Sequence, residues 1–197
     1  MCGRFMLEVE TDEIIVRYRI TETGVIFRRA PEIFPTDQVT VIHGGAGREI
    51  SDMRWGFPNP YGTNRIINAR GETVAGKPMF RDAFRRRRCL IPASAFFEWQ
   101  KTGGKSVKYR IGLPGGSVFS LAGLYGLFPE PDGVSRPAFT IVTTVANAAL
   151  APIHDRMPLI IPPADEALWL GGESSDLSAV TALIRPFAAE LAVVPAA

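Results

Sequence analysis

Four residues in this chain have the types and settings to do chemistry. The chain begins MCGRF. Cysteine is small enough for an initiating methionine to be cleared before it, which would leave Cys2 with a thiol and a free α-amine on one Cα; otherwise Cys2 is an accident of the start codon. Glu98 stands in AFFEW (95–99), among apolar and aromatic residues. A carboxylate there pairs with a cation, has its pKa raised by desolvation and so suits acid–base work, or points to solvent by simple strand alternation. His154 lies in APIHDRMPLII (151–161), between a prolyl turn and an apolar run, where a lone histidine is first read as a hydrogen-bonded structural residue. His43, beside a glycine-rich turn, is the more expendable histidine. Asn68 and Arg70 sit in RIINARGET (65–73), where an apolar strand gives way to a polar turn, a common place for binding residues, although asparagine in a turn needs no function. Trp55 and Trp99 are core by default, or stack on unpaired bases if they lie near an arginine-rich surface. Cys89 reads as a buried structural thiol. Taken singly, none of these decides a function.

Composition bounds the answer. The chain has 197 residues, 46% hydrophobic and 21% charged, which suits one soluble globular domain spanning 1–197. No apolar run reaches the roughly 18 residues a membrane span needs, and no secretory signal is visible. Two cysteines exclude a disulfide framework and point to the cytoplasm; with two histidines and no CxxC or HxxxH spacing they also argue against a metal site, and no cofactor is expected. A net charge of +2 is too small to declare a nucleic-acid binder. Yet RDAFRRRR (81–88) concentrates five arginines in eight residues, either a solvated helix face or a phosphate-facing patch.

The elements that must position these residues follow from periodicity. Glu10–Ile20 reads as a short amphipathic helix capped by Thr11 or Asp12. The two prolines of 30–37 demand extended or turning chain. Strands are expected over Gln38–His43 and Glu49–Phe57, joined by the turn GGAG (44–47), and a helix over Lys77–Arg87 with Pro78 near its start. CLIPASAFFEW (89–99) is extended and largely buried, with Pro92 arguing for an edge or bulge. Val107–Leu113, a PGG turn and Val118–Tyr125 form a plausible hairpin. Further strands are expected at Pro137–Val145, Pro158–Ile161 and Leu191–Val194, with short helices at Asp165–Leu170 and Leu177–Phe187. Strands dominate and no βαβ rhythm appears, which favours an α+β domain around a curved, barrel-like, mainly antiparallel sheet with short peripheral helices.

In order along the chain, MCGRF, WG, NAR-x-E, RCLIPA-x-x-FFEW and IHDRMPLII resemble the SOS-response-associated peptidase (SRAP) family, over most of the chain. Members of that family process abasic sites and crosslink to DNA. Departures are mild: Gly71 stands where alanine is usual, Phe97 where tyrosine is common, and Tyr125 where tryptophan is common. The resemblance implies an α+β SRAP-like fold and a partner, single-stranded DNA carrying abasic sites, handled by a monomer with no cofactor, metal or membrane. An amine of pKa about 8 and a thiol of about 8.5 give useful fractions of both nucleophiles near pH 7. The Cys2 amine would condense with the ring-opened aldehyde and the thiolate would close a thiazolidine, favoured because both groups sit on one residue. By the same resemblance Glu98 would move protons, His154 would favour the open sugar and Asn68 would orient the adduct. Arg4, Arg70 and Arg156 would hold phosphates; Trp55, Trp99 and Pro35 would pack on bases or sugars, and Thr144 would contact the DNA backbone. Autoproteolysis would expose Cys2 by releasing Met1. Two rivals stand beside this reading: a thiol peptidase acting on proteins through Cys2, His154 and Asn68, and a non-covalent reader of damaged or modified DNA.

Overall fold

The computed structural model describes residues 2–21, 24, 26–44, 47–130 and 132–196. Met1 and the middle of the GGAG turn lie outside the described residues, so the expected turn and the removal of Met1 are not addressed by it.

The chain opens with strand β1 (Phe5–Leu7), then helix α1 (Thr11–Tyr18), β2 (Ala30–Ile33), β3 (Gln38–His43) and β4 (Glu49–Trp55). Short strand β5 (Asn68–Arg70) leads into α2 (Gly71–Val74) and α3 (Pro78–Arg86). Strands β6 (Arg88–Ala93), β7 (Ala95–Thr102), β8 (Lys105–Gly112), β9 (Phe119–Pro129) and β10 (Ser135–Val145) form the bulk of the remainder. The chain closes with β11 (Arg156–Pro158), β12 (Ile160–Ile161), α4 (Glu166–Leu170), α5 (Leu177–Ala182) and β13 (Ala192–Ala196).

Two sheets share one apolar core. In the larger, β10 neighbours β4, β4 neighbours β3, β3 neighbours β6, β6 neighbours β9, and β9 pairs back with β10. That last pairing closes a five-stranded barrel, removing the free edges an open sheet would leave. Its strands are antiparallel except for β10, which runs parallel to β4 and β5. The second sheet has the order β13-β8-β7-β1-β2. The α+β, mainly antiparallel and barrel-like architecture read from the sequence is therefore the one observed, divided between two sheets.

The chain crosses between them at Ser94. Pairing of β6 with β9 ends at Ala93, and pairing of β7 with β1 begins at Ala95. Pro92 lies beyond the single bridge of β6 to β3 at Ile42–Leu90, where a missing N–H is tolerated. Trp55 sits where barrel and sheet meet: it stacks on Phe139 of β10 at 6.3 Å and meets Phe5 of β1 edge-on at 5.1 Å. Its indole N–H donates to the Ile67 carbonyl at 3.1 Å, so the one polar atom of a fully buried ring is satisfied.

Local chemistry explains where the expectations failed. The segments 107–113 and 118–125 do not form a hairpin: β8 pairs with β7 and β13, and β9 lies in the barrel. The true hairpin is β7–β8, turned by Gly103 and Gly104 at φ 57° and 78°, a pair of left-handed conformations that glycine adopts without strain. Helix α1 begins after Glu10 with no side-chain cap; the Thr11 hydroxyl instead accepts from the Phe27 N–H at 3.1 Å and holds the following chain segment. Helix α5 ends at Ala182 rather than Phe187, because Pro186 cannot continue a helix.

Helix α3 follows expectation, with Pro78 in its first turn and Phe80, Ala83 and Phe84 buried. Its C-terminal end is held by Arg88, which is fully buried and donates to the carbonyls of Phe84, Arg85, Trp169 and Gly172. With carbonyls and no paired carboxylate among the described residues, burial draws the guanidinium down to a pKa of about 10. No helix among the described residues is long and apolar enough to cross a membrane.

Candidate functional site

The site is assembled at the junction of the two sheets, on the segment before β1. Strand β1 pairs with β7 so that Phe5 lies opposite Phe96, and the ladder continues outward through a bond from the Phe97 N–H to the Arg4 carbonyl at 2.9 Å. Glu98 follows Phe97 on the same strand and lies close enough to Cys2 for its charge to act on the thiol. Cys2 is fully buried and packs with the main core.

Asn68 ties this segment to the barrel. It opens β5, which is fixed by parallel pairing to β10 at Ile141, and its Nδ2 donates to the Cys2 carbonyl at 2.9 Å. A carbonyl can only accept, so this contact sets the amide orientation. Oδ1 then faces the other way, buried and without a hydrogen-bond partner among the described residues. A buried unpaired acceptor costs about 1–3 kcal/mol and is ready to receive a donor from a ligand.

Strand alternation resolves the question left open for Glu98. Ala95 and Phe97 pack on the outer face of their sheet with Met6 and Trp99, whereas Phe96 enters the main core against Phe119. Glu98 shares the inward parity and is 2% exposed, so the solvent-facing alternative is excluded. Burial raises its carboxyl pKa, His154 opposes that shift and Asp155 adds to it. Burial likewise pushes the Cys2 thiol far above the ordinary range, and the charge of Glu98 pushes the same way. The useful thiolate fraction expected near pH 7 is therefore not what this environment gives: the resting thiol is protonated and needs a base to become nucleophilic.

His154 reaches the site because β7 holds its loop. Gln100, two residues after Glu98 on the same strand, donates through Nε2 to the Pro152 carbonyl at 2.9 Å. The Arg156 N–H donates to His154 Nδ1 at 2.9 Å, which requires a lone pair there and leaves the proton of the neutral ring on Nε2. The Asp155 carboxylate also stands 2.9 Å from Nδ1. That side chain is 85% exposed, so water screens its pull on Nδ1, whereas the backbone N–H of Arg156 can only donate there.

The residues expected to meet DNA fare unevenly. Trp55 and Thr144 are buried, at 0% and 3% exposure, so neither presents a surface for stacking or bonding in this structure. Arg4 is ion-paired with Glu32 at 2.8 Å and lies between the rings of Phe34 and Trp99, at 4.1 and 5.3 Å from their centroids. Arg156 holds Glu72 with both terminal nitrogens, at 2.6 and 2.9 Å, and also donates to Thr143. A phosphate would have to displace a carboxylate from either. Arg70 is exposed, with no ion pair among the described residues. Pro35 and Trp99 are half-buried, Pro35 in the turn closed by Asp37 onto the Phe34 N–H.

Beside Asn68 the surface opens into a cleft of about 770 Å³, lined by Tyr61, Ile66, Asn68, Arg70, Lys77 and Met79 among others. Tyr61, Lys77 and Met79 were not singled out from the sequence. Tyr61 is 93% exposed at the tip of the loop PNPYGTNR (58–65), and an aromatic between proline and glycine in a polar loop was the signal available. Among the described residues no group of three or more His, Cys, Asp or Glu side chains could hold a metal ion.

The fold is a barrel-and-sheet α+β domain in which the segment around Cys2 is gathered with Asn68, Glu98 and the His154 loop beside an open cleft. The chain matches the family described as SOS response associated peptidase (SRAP) over residues 1–197 and belongs to it. It is 34% identical over 199 residues to the abasic site processing protein YoqW of Bacillus subtilis (strain 168), covering 96% of this chain and 89% of that one. It is also 34% identical over 191 residues to the abasic site processing protein YedK of Escherichia coli (strain K12), covering 91% and 86%. A crystal structure of a protein from Bacteroides thetaiotaomicron shares the fold with a TM-score of 0.85 at 22% identity, covering 98% of this chain and 91% of that one.

Proposed function

We propose that this protein processes abasic sites in single-stranded DNA by forming a covalent thiazolidine through Cys2, as part of a DNA-damage response of the SOS type. The observation that carries the reading is the clamp on Cys2: Asn68 holds its carbonyl at 2.9 Å while the buried Glu98 carboxyl lies close enough for its charge to act on the thiol. The curated relatives, whose names describe abasic site processing, support the same reading.

The sequence of steps uses groups already in place. Water adds across the Met1–Cys2 peptide bond, releasing methionine and freeing the α-amine. The amine adds to the aldehyde carbon of the ring-opened sugar, and the hydroxyl so formed leaves as water after taking a proton from the Glu98 carboxyl. A raised pKa suits Glu98 to be that acid. The resulting carboxylate takes the Cys2 thiol proton, which regenerates the Glu98 acid, and the thiolate closes on the iminium carbon as the C=N electron pair returns to the nitrogen, which keeps its remaining proton. His154, with its proton on Nε2, donates to the sugar ring oxygen and favours the open aldehyde. Asn68 Oδ1 receives the new amine or a sugar hydroxyl. The cleft takes the flanking strand, with Tyr61 as a stacking surface and Arg70 and Lys77 for phosphates.

A peptidase acting on other proteins through a Cys–His–Asn triad fits less well. Asn68 binds the Cys2 carbonyl, and His154 Nδ1 receives a backbone N–H, so asparagine does not orient the histidine as that triad requires. The test is the intact mass of the purified protein before and after mixing with abasic single-stranded DNA. Loss of Met1 and a heat-stable adduct are expected. Cleavage of unrelated peptides with no DNA adduct would overturn the proposal, as would an undiminished adduct in Cys2→Ala.

A further inference from the structure

The arginine-rich helix α3 is sorted by its ion pairs into two sets. Arg86 is held by Asp82 at 3.3 Å and Glu173 at 2.9 Å, and Arg87 is held by Asp82. Lys77, Arg81 and Arg85 are exposed and have no ion pair among the described residues. They recur every fourth residue, so they form one gently winding ridge about 12 Å long on the exposed flank of the helix, next to the buried Phe80 and Phe84.

This ridge has no internal justification. Like charges four apart on a helix repel. Lys77 occupies the N-cap position, where the helix dipole disfavours a cation. The ridge also begins inside the cleft, since Lys77 lines it together with Asn68 and Arg70. At its far end Arg85 borders a hollow of about 280 Å³ whose carboxylate, Glu173, is already committed to Arg86.

We propose that Lys77, Arg81 and Arg85 form a phosphate track that carries the DNA strand away from the lesion, over the exposed side of α3. This rests on the reading of the protein as an abasic-site processor and extends its footprint beyond the cleft. The partner chemistry is a flexible polyanion, matched by evenly spaced cations; Asp82, the acidic residue next to them, is already paired with Arg86 and Arg87.

The test compares the unsubstituted protein with Arg81→Gln/Arg85→Gln and, as a control of equal type, Arg86→Gln. Equilibrium binding is measured against salt with a stable abasic analogue that lacks the aldehyde, in strands of about 4 and about 16 nucleotides, the range one small domain tracks. With the long strand, the double variant should show a log–log salt slope shallower by about 1.4, since each phosphate contact on a single strand contributes about 0.7. With the short strand the two should match, and Arg86→Gln should leave both slopes close to the unsubstituted values. Covalent yield at saturating reactive DNA should be the same for all three. An unchanged slope with the long strand, or an equal loss from Arg86→Gln, overturns the track while leaving the function intact. Failure of the unsubstituted protein to form an adduct overturns the function, and the track with it.

Discussion

Substituting Asn68 by aspartate tests whether the clamp on Cys2 works by hydrogen bonding or by shape. The two side chains are isosteric, but the atom 2.9 Å from the Cys2 carbonyl would change from a donor to an acceptor. The variant loses a bond worth about 1 kcal/mol and leaves a buried carbonyl unsatisfied at about 1–3 kcal/mol, so the positioned state is disfavoured by about 2–4 kcal/mol. At about 1.36 kcal/mol per decade, adduct formation should slow by roughly 30- to 1,000-fold. Asn68→Ala also loses the bond but leaves room for water to serve the carbonyl, which limits the loss to about 1 kcal/mol, or roughly fivefold. Single-turnover rates should therefore fall from the parent to the alanine variant and again to the aspartate variant, measured as denaturation-resistant protein–DNA product at pH 7. Thermal melting of each variant checks that the fold is retained. If Asn68→Asp reacts as fast as the parent and only Asn68→Ala is impaired, the side chain is a spacer and the hydrogen-bond argument is wrong.

Three further outcomes follow from the packing and charge of the same structure. Because burial raises the folded-state pKa of Glu98, the folded protein binds more protons than the unfolded chain between the ordinary carboxyl value of about 4.3 and the raised one, and stability falls as pH rises through that window. Glu98→Gln removes this dependence, so its urea midpoint should gain on the parent between pH 5 and pH 8 while crosslinking slows; a constant difference in midpoint would contradict the assignment. A Cβ on Gly71 would stand 2.3 Å from Ile184 Cγ2 and 3.2 Å from the Thr143 carbonyl, so Gly71→Ala should cost about 1–3 kcal/mol in chemical denaturation. Ile184→Leu, which removes that methyl branch, should recover much of the loss, and strict additivity of the two would refute the clash. Glu166 is buried between Arg17 and Arg48 and accepts from Ser120 at 2.6 Å, so Glu166→Gln leaves two half-sheltered cations without a counter-charge. A loss of about 2 kcal/mol in urea unfolding is expected, reduced from the fully buried case by the partial exposure of both arginines; an unchanged midpoint would show that the pairs carry no net stability.

Several features were legible in the residues alone because they depend on local chemistry. The 3.6-residue spacing of apolar groups placed α1 and α3, and runs rich in Val, Ile, Phe and Thr placed β3, β4 and β10. The family, and with it Cys2, Asn68, Glu98 and His154 as the candidate group, could be named from motifs whose order is fixed along the chain. The KTGGK turn was equally local, and its two glycines signalled the β7–β8 hairpin that the competing PGG segment obscured.

Tertiary structure alone decided what those residues experience. Whether Glu98 faced water or core depended on which face of β7 the barrel covered, and a one-residue change of register would have reversed it. The same packing buried Trp55 and Thr144, engaged Arg4 and Arg156 with carboxylates distant in sequence, and left Arg70 and the ridge of Lys77, Arg81 and Arg85 without an ion pair among the described residues. The protonated resting state of Cys2 is likewise a property of its surroundings, because a thiol pKa is set by the solvent and charge around it. Sequence thus determined which groups the protein has; long-range pairing, by setting burial and ion partners, determined which of them are available to react or to bind.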